Sequence, residues 1–453
     1  MSPAAPLPRK AGWLALVLAL VGGGCPSGPP RSPSTTSPQP TATPAPAPAA
    51  RPTPVDPIVA LASRSQHTCA RRASGTVLCW GRGDYGQLGD GRRRDSAQLV
   101  KVAGLVDATA VATGQDFTCA VRKAGSVVCW GNDFDGQLGD GRGASSREVV
   151  SPRPARVTGL TEVTAVSAGE HHACALDRRG AVTCWGNGDD GQIGSDAQRA
   201  FGTPQPIGPL EPVAEVAAGW SHVCVREAAG KVKCWGRNTE GQLGDGKSGS
   251  RIKPVTVATV RDAVELVSGH DHSCARTRDG RVWCWGDNAA GQLGPLARGE
   301  PKAYAPVEVR DLGPVVQLAA GDEHSCARLR TGGVVCWGSN AAGQLDPGAP
   351  ARATRAVAAG IDDASDLALG ARHTCVLRQG GEVSCWGDGS SGALGPHGPR
   401  RRTASRRSHS IPMLSDDDAT ARPEPSPLPR GPRRWQARDP TVALAIPASP
   451  PPP

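Results

Sequence analysis

Aromatic residues are scarce in this 453-residue chain, which holds three Phe, two Tyr and eleven Trp. Phenylalanine and tyrosine cannot fill a core at that frequency, so tryptophan must supply most of the large packing volume. Long apolar runs are missing too. The stretch Ala11 to Val21 falls well short of the roughly 20 residues a membrane-spanning helix needs. Close Cys-x-x-Cys pairs, the usual mark of structural zinc, are absent despite fifteen cysteines. Neither Gly-x-Ser-x-Gly nor His-Glu-x-x-His occurs, which removes two common hydrolase signatures. The net charge of +9 is carried mainly by the ends, with +3 on residues 1–57 and +5 on 396–453, leaving the middle near +1. A near-neutral region lacks the basic footprint of a nucleic-acid reader, so no nucleic-acid partner is expected.

What the chain does have is a repeat. A cysteine followed ten residues later by Cys-Trp-Gly occurs seven times: Cys69/Cys79, Cys119/Cys129, Cys174/Cys184, Cys224/Cys234, Cys274/Cys284, Cys326/Cys336 and Cys375/Cys385. The first cysteines are 50, 55, 50, 50, 52 and 49 residues apart, a period that signals a propeller or solenoid. In every copy a glycine stands six residues after the first cysteine, from Gly75 to Gly381. Placed at the positive-φ end of a three-residue hairpin loop, Gly75 pairs Arg72 with Thr76 and brings Cys69 opposite Cys79. Opposed residues on antiparallel strands have Cα atoms about 4.5–5.5 Å apart, within disulfide reach. Seven intra-hairpin disulfides are therefore expected, and such a set persists only in an oxidising compartment.

Each repeat reads as four short strands; in the second they are Thr109–Ala112, Phe117–Arg122, Ser126–Trp130 and a looser stretch at Ala155–Val157. Four strands per fifty residues make a propeller blade, so residues 58–395 are expected to be an all-β, seven-bladed propeller of four-stranded blades. The Trp after each second cysteine points to the opposite sheet face from its neighbour, where it packs one blade on the next. His67, His172, His222, His272, His324 and His373 recur two residues before six of the seven first cysteines. Repetition argues for a structural corner, because a catalytic histidine needs one unique partner within reach. Asp133–Asp140 faintly matches a calcium loop but lacks the bidentate glutamate at its twelfth position. No enzyme activity, cofactor or metal is expected.

Residues 1–25 read as a signal peptide, with Arg9 and Lys10 before the apolar stretch. The ending Val21-Gly-Gly-Gly-Cys25 is similar to a bacterial lipoprotein processing site, with Gly22 where leucine is usual, and Cys25 is the one cysteine outside the seven pairs. Lipidation at Cys25 would give the only membrane contact; the alternative is secretion with Cys25 removed. Residues 26–57 form a Pro/Ser/Thr/Ala tether. Residues 396–453 are an Arg/Pro-rich tail, expected to be mostly disordered. In the tail, Thr441–Ile446 is the β-like candidate for closing the seventh blade. Together these features place a monomeric chain outside the cytoplasm, in a bacterial envelope or secreted.

The string His-x-Cys-Ala…Gly-x-Val-x-Cys-Trp-Gly-x-x-x-x-Gly-Gln-Leu-Gly, seen at Gly86–Gly89, Gly136–Gly139, Gly241–Gly244 and Gly291–Gly294, resembles the repeat of the regulator of chromosome condensation family. Phe117, Ile193, Asp346 and Ala393 depart from it, so blades 2, 6 and 7 are expected to be less regular. The resemblance implies a seven-bladed propeller; family members include an exchange factor for the Ran GTPase and a secreted bacterial β-lactamase inhibitory protein. The reading is a non-catalytic protein-binding module or scaffold for an unidentified protein partner. Alternatives are an inhibitor of an extracytoplasmic enzyme, exchange-type activity by analogy, or a carbohydrate-active enzyme. In a four-strand blade the first and third loops emerge on one face, and they are acidic; the hairpin tips on the other face carry arginines. Tyr85, Asp116, Phe134, Glu170, Trp220, Asp271, Asp322, Glu323 and Arg372 are the candidate partner-binding residues of the first face.

Overall fold

The structure is a computed structural model that describes residues 56–142, 149–195, 199–295, 299–396 and 409–411. Cys25, the leader and the tether up to residue 55 lie outside the described residues, as does Thr441–Ile446. Seven four-stranded antiparallel sheets follow one another along the chain, each with its strands A to D hydrogen-bonded in chain order. In blade 1 these are Ile58–Arg64, His67–Arg72, Val77–Gly81 and Ser96–Lys101. Strand A of each blade packs on strand A of the next, and Ala364–Leu369 of blade 7 packs on Ile58–Arg64 of blade 1, which closes the ring. The chain is thus an all-β, seven-bladed propeller.

Outer strands were the hardest to read. Strand D of blade 2 is Val150–Arg156, longer and earlier than the expected Ala155–Val157. Its Pro152 and Pro154 disguise it, yet an outermost strand tolerates proline because one edge has no hydrogen-bonding neighbour. In the seventh blade His409–Ile411 pairs with Val383–Cys385 as the fourth strand; Thr441–Ile446, expected in that role, lies outside the described residues.

Each central hairpin has the expected register. Arg72 donates to the Thr76 carbonyl at 2.9 Å, Gly75 sits at φ 92°, and Cys69 stands opposite Cys79. All seven disulfides are present, one per blade. They join Cys69 to Cys79, Cys119 to Cys129, Cys174 to Cys184, Cys224 to Cys234, Cys274 to Cys284, Cys326 to Cys336 and Cys375 to Cys385. The pairing is as expected, but the spacing needs a correction. The Cα atoms of Cys174 and Cys184, Cys224 and Cys234, Cys274 and Cys284, and Cys326 and Cys336 are each 4.1 Å apart, below the expected range. The first two pairs also measure 4.1 Å, and Cys375 and Cys385 measure 4.2 Å. The register explains the short distance: counting out from the hydrogen-bonded Arg72/Thr76 pair puts the cysteines at a non-hydrogen-bonded pair, where the strands run closest. Closing a loop of about ten residues contributes roughly 2–3 kcal/mol.

Between blades the core is seven equivalent clusters, and in each the disulfide of one blade meets the tryptophan of the next. Cys119 and Cys129 share a cluster with Trp185, Cys174 and Cys184 with Trp235, and Cys224 and Cys234 with Trp285. Cys274 and Cys284 meet Trp337, and Cys326 and Cys336 meet Trp386. Each buried indole also reaches back for a specific bond: Trp130 Nε1 donates to the Gln87 carbonyl at 2.9 Å, Trp185 to Gln137, Trp235 to Gln192, Trp285 to Gln242 and Trp337 to Gln292. Trp80 of blade 1 donates to the Ala393 carbonyl of blade 7 at 2.9 Å, so the ring seam uses the same bond as every other interface. Substituting glutamine by Ala393 leaves that bond intact because a main-chain carbonyl accepts it. Asp346 in place of the last glycine has a visible effect, since Trp386 shifts to the Leu345 carbonyl at 3.3 Å.

The recurrent histidines are structural, as expected. His67 Nε2 meets Thr118 Oγ1 of the next blade at 2.9 Å, and Thr118 in turn donates to the Gln87 carbonyl. One hydroxyl proton cannot serve both bonds, so Nε2 is the donor and Nδ1 is left as a bare acceptor. His272 with Ser325 and His324 with Thr374 repeat the relay, and His373 with Thr68 closes the ring. Gly169 lies against the His172 ring, with no room for a Cβ. Two interfaces differ. Phe117 replaces the histidine of blade 2 and meets Ala173, with both residues in one apolar cluster. His172 of blade 3 faces Val223 where a hydroxyl would be, and both of its ring nitrogens are buried without a partner.

Val223→Thr should therefore restore the missing relay between His172 and the Gln192 carbonyl and raise stability by about 1 kcal/mol, read as a higher denaturant midpoint at unchanged slope. Burial also holds five of the recurrent histidines neutral to about pH 3, and His373 to about pH 4. In the unfolded chain they titrate near pH 6.5. Between those limits the unfolded state binds more protons, so their stabilisation is complete above about pH 6.5 and is lost as pH falls, by up to about 1.4 kcal/mol per histidine per unit. Thermal melts of the disulfide-intact protein should drop steeply from pH 6.5 to 4.5; a flat profile would refute the assignment.

Candidate functional site

The first loop of each blade joins strands A and B and borders the propeller axis at one end. Six copies begin this loop with glycine three residues before the histidine or its Phe117 replacement: Gly114, Gly169, Gly219, Gly269, Gly321 and Gly370. In blade 1 the same position is Arg64. Its guanidinium crosses the axial channel and donates to the carbonyls of Ala168 at 3.2 Å, Ala218 at 3.0 Å and Gly269 at 3.0 Å, on blades 3, 4 and 5. The channel behind it is a cavity of about 440 Å³ lined mainly by alanine, leucine and valine of the A strands. Sequence reasoning missed Arg64, although the one departure from the repeated glycine was there to be read.

The next residues around the mouth are Ser65, Gln115, Glu170, Trp220, His270, Asp322 and Ala371. Main-chain bonds link neighbouring loops, from Gln115 to Glu170, Glu170 to Trp220, Trp220 to His270 and Ala371 to Ser65. This linkage fixes the mouth on rigid strands. Trp220 stacks on His270 with ring centroids 3.7 Å apart and planes tilted 30°. His270 Nδ1 lies 2.7 Å from Asp271 Oδ2, and Gln242 donates to the other Asp271 oxygen at 2.7 Å. His171 contacts Glu170 at 3.2 Å and Asp135 at 3.5 Å, and those carboxylates raise its pKa against the opposing effect of burial.

Of the candidate residues, Glu170, Trp220, Asp271, Asp322, Glu323 and Arg372 are brought together on these loops. Glu323 is exposed, and Arg372 lines a small recess with Asp388 and Gln66. Asp116 is on the same ring but only 7% exposed. It takes Arg82 at 3.1 Å and serves as a brace. Tyr85 and Phe134 come from the third loops of blades 1 and 2, farther from the axis, and meet edge to face at 6.2 Å and 77°. Arg82 lies 5.4 Å over the Tyr85 ring. His270, the partner of Trp220, was missed because a histidine beside a repeated one carries no pattern of its own.

Several features that could suggest chemistry resolve into loop structure. Gly241–Ser248 spells Gly-x₄-Gly-Lys-Ser, formally a phosphate loop, but it joins two β-strands and Leu243 is buried in the core. A true phosphate loop opens a helix. Among the described residues no cluster of His, Cys, Asp or Glu has the arrangement of a metal site, and none of the hydrogen bonds described supplies His270 with a nucleophile. Asp133, the first residue of the segment that faintly matches a calcium loop, is 1% exposed and lies under its loop. One of its oxygens accepts from the Leu138 N–H at 2.9 Å and the other has no partner. Blades 4, 5 and 6 have Asn238, Asn288 and Asn340 there, whose amides donate to carbonyls of the loop.

With this geometry the comparisons agree. The model of the RCC1-like domain family matches residues 28–312, and that of the regulator of chromosome condensation (RCC1) repeat matches 315–344 and 364–393. The chain belongs to the RCC1-like domain family. Yeast RCC1 (Prp20), solved bound to Kap60, superposes with a TM-score of 0.67 at 20% identity, covering 81% of this chain and 89% of that one. Human WBSCR16 gives 0.62 at 21% identity, over 71% and 87%. Prp20p from Saccharomyces cerevisiae, reported with its binding to Gsp1p and histones, gives 0.59 at 20%, over 80% and 84%. At those identities the likeness is one of fold. No curated protein matches the chain.

Asp133→Asn tests the loop reading. Burial raises the Asp133 pKa to about 6, against 3.8 in the unfolded chain. The folded state therefore binds the extra proton between these values, and the charged form penalises folding above about pH 6. The asparagine variant should be more stable at pH 7.5 by about 1–3 kcal/mol, with the gain shrinking toward pH 5. A gain independent of pH would count against the assignment.

Proposed function

We propose that the chain is a non-catalytic protein-binding module that engages a protein partner through the face formed by the first and third loops of its blades. The observation that carries this reading is where the spare aromatics go. Seven tryptophans and Phe117 are buried in the framework. Of the six other aromatics among the described residues, Tyr85, Phe134 and Trp220 are on loops of this face, and Phe201 and Tyr304 begin the outer strands that leave it. Phe134 is 48% exposed. Tyr85, Phe134 and Trp220 belong to none of the seven apolar clusters, whereas interfaces use such anchors amid polar surroundings.

Kap60, Gsp1p and histones are the ligands named for the solved relatives, which supports recognition of proteins as the mode without naming this chain's partner. Seven disulfides favour a compartment outside the reducing cytoplasm. With the leader-like start, Cys25 and the Pro-rich stretch, they support an exported, surface-tethered module. Full-length oxidised protein used as bait in envelope and culture fractions should retain a stoichiometric partner. The combined Tyr85→Ala, Phe134→Ala and Trp220→Ala variant, with its melting temperature preserved, should bind that partner about a hundredfold more weakly or worse. Full affinity in the variant would overturn the reading.

A further inference from the structure

Asp322 is the odd group at the axial mouth. Among the described residues it has no hydrogen bond and no ion pair, although it is half-buried by surface area and set deep among the loops. The other carboxylates of the ring are occupied: Asp116 by Arg82, Glu170 by His171, and Asp271 by His270 and Gln242. Burial raises the Asp322 pKa, opposed by the positive charge of Arg64, while Glu170 and Glu323 add to the negative potential. Asp322 and Glu170 occupy the same loop position in blades 6 and 3. Arg64 is itself spent on three carbonyls. Partly exposed and without a donor from its own chain, the Asp322 carboxylate is open to an N–H group supplied from outside.

Beside it stands the stacked pair of Trp220 and His270, both partly exposed. An aromatic face next to an unsatisfied carboxylate is what a planar cation needs, since the ring attracts the charge and the carboxylate takes its N–H groups. We infer that the mouth of the propeller receives an arginine side chain presented by the protein partner, with its guanidinium over the Trp220/His270 pair and bonded to Asp322. This rests on the protein-binding reading above and adds the chemistry of the inserted group. Arginine suits the site better than lysine because its planar, weakly hydrated head both stacks and forks.

The test uses the full oxidised chain and a defined probe, the blocked peptide acetyl-Gly-Arg-Gly-amide, against its citrulline counterpart, which keeps the shape and loses the charge. Binding is read from the indole N–H resonance of Trp220, assigned by its disappearance in Trp220→Phe. The arginine peptide should shift that resonance saturably, and the citrulline peptide should not. Asp322→Asn should weaken binding by about tenfold or more, the loss of one charge-assisted contact. It should also leave the melting temperature unchanged or higher, which a carboxylate held for structure would not do. Glu323→Gln, an exposed neighbour, should weaken it much less. The inference is overturned by equal shifts with citrulline, by no saturable shift up to about 10 mM, where a millimolar site would be mostly filled, or by undiminished binding in Asp322→Asn. If no arginine probe binds while the aromatic face still captures a partner, the insertion is wrong and the protein-binding reading stands.

Discussion

The structure depends on one dipeptide, the Cys-Trp of strand C. Successive side chains of a strand point to opposite faces, so this pair sends a disulfide forward onto one neighbouring blade and an indole back onto the other. The disulfide keeps its hairpin from splaying. The indole fills the gap left by the preceding blade and donates its single N–H to a main-chain carbonyl of that blade's Gln-Leu-Gly turn. A buried indole without that acceptor would leave its N–H unpaired. The turn must therefore be in place for the tryptophan to be tolerated, and each blade is ordered by the one before it. At the seam Trp80 applies the same rule to blade 7, and the ring needs no separate clasp.

This dependence explains how much of the fold the sequence made legible. The cysteine spacing and the hairpin glycine determine a register, and the register determines disulfide, indole and histidine positions without any long-range information. Outer strands have no such constraint. Val150–Arg156 contains two prolines and pairs along one edge only, so its residues carry little pattern, and His409–Ile411 is three residues long in an unpatterned tail. The site was legible in part for the same reason. Loop residues that vary from copy to copy could be collected, but their partnerships could not. Asp116 and Asp322 look alike in the sequence; one braces Arg82 while the other has no partner among the described residues, and only the packing distinguishes them.

The repeat also separates two kinds of buried histidine. Where a hydroxyl follows in the next blade, the imidazole is satisfied at one nitrogen and its neutral form is the only one the interior accepts. Where Val223 follows, His172 retains the steric role alone, filling the space over Gly169. Phe117 against Ala173 shows that this steric role can be met by a hydrocarbon ring. The polar relay is thus an addition to a shape requirement, which is why it can lapse at two interfaces while the ring still closes.

Sevenfold repetition makes equivalent positions equal, so anything specific must come from places where the copies differ. Arg64 is the largest such difference on the axis. A glycine there would leave carbonyls of blades 3, 4 and 5 facing the channel; the guanidinium instead satisfies three of them and closes that end. Its buried positive charge also favours the ionised form of Asp322 at the mouth, against burial, which acts the other way. One substitution in one repeat therefore converts a symmetric pore into a floor, and the floor permits an acidic, aromatic recess above it. Stability comes from what the blades share, and under the proposed function recognition would come from the residues by which single blades depart from the common pattern.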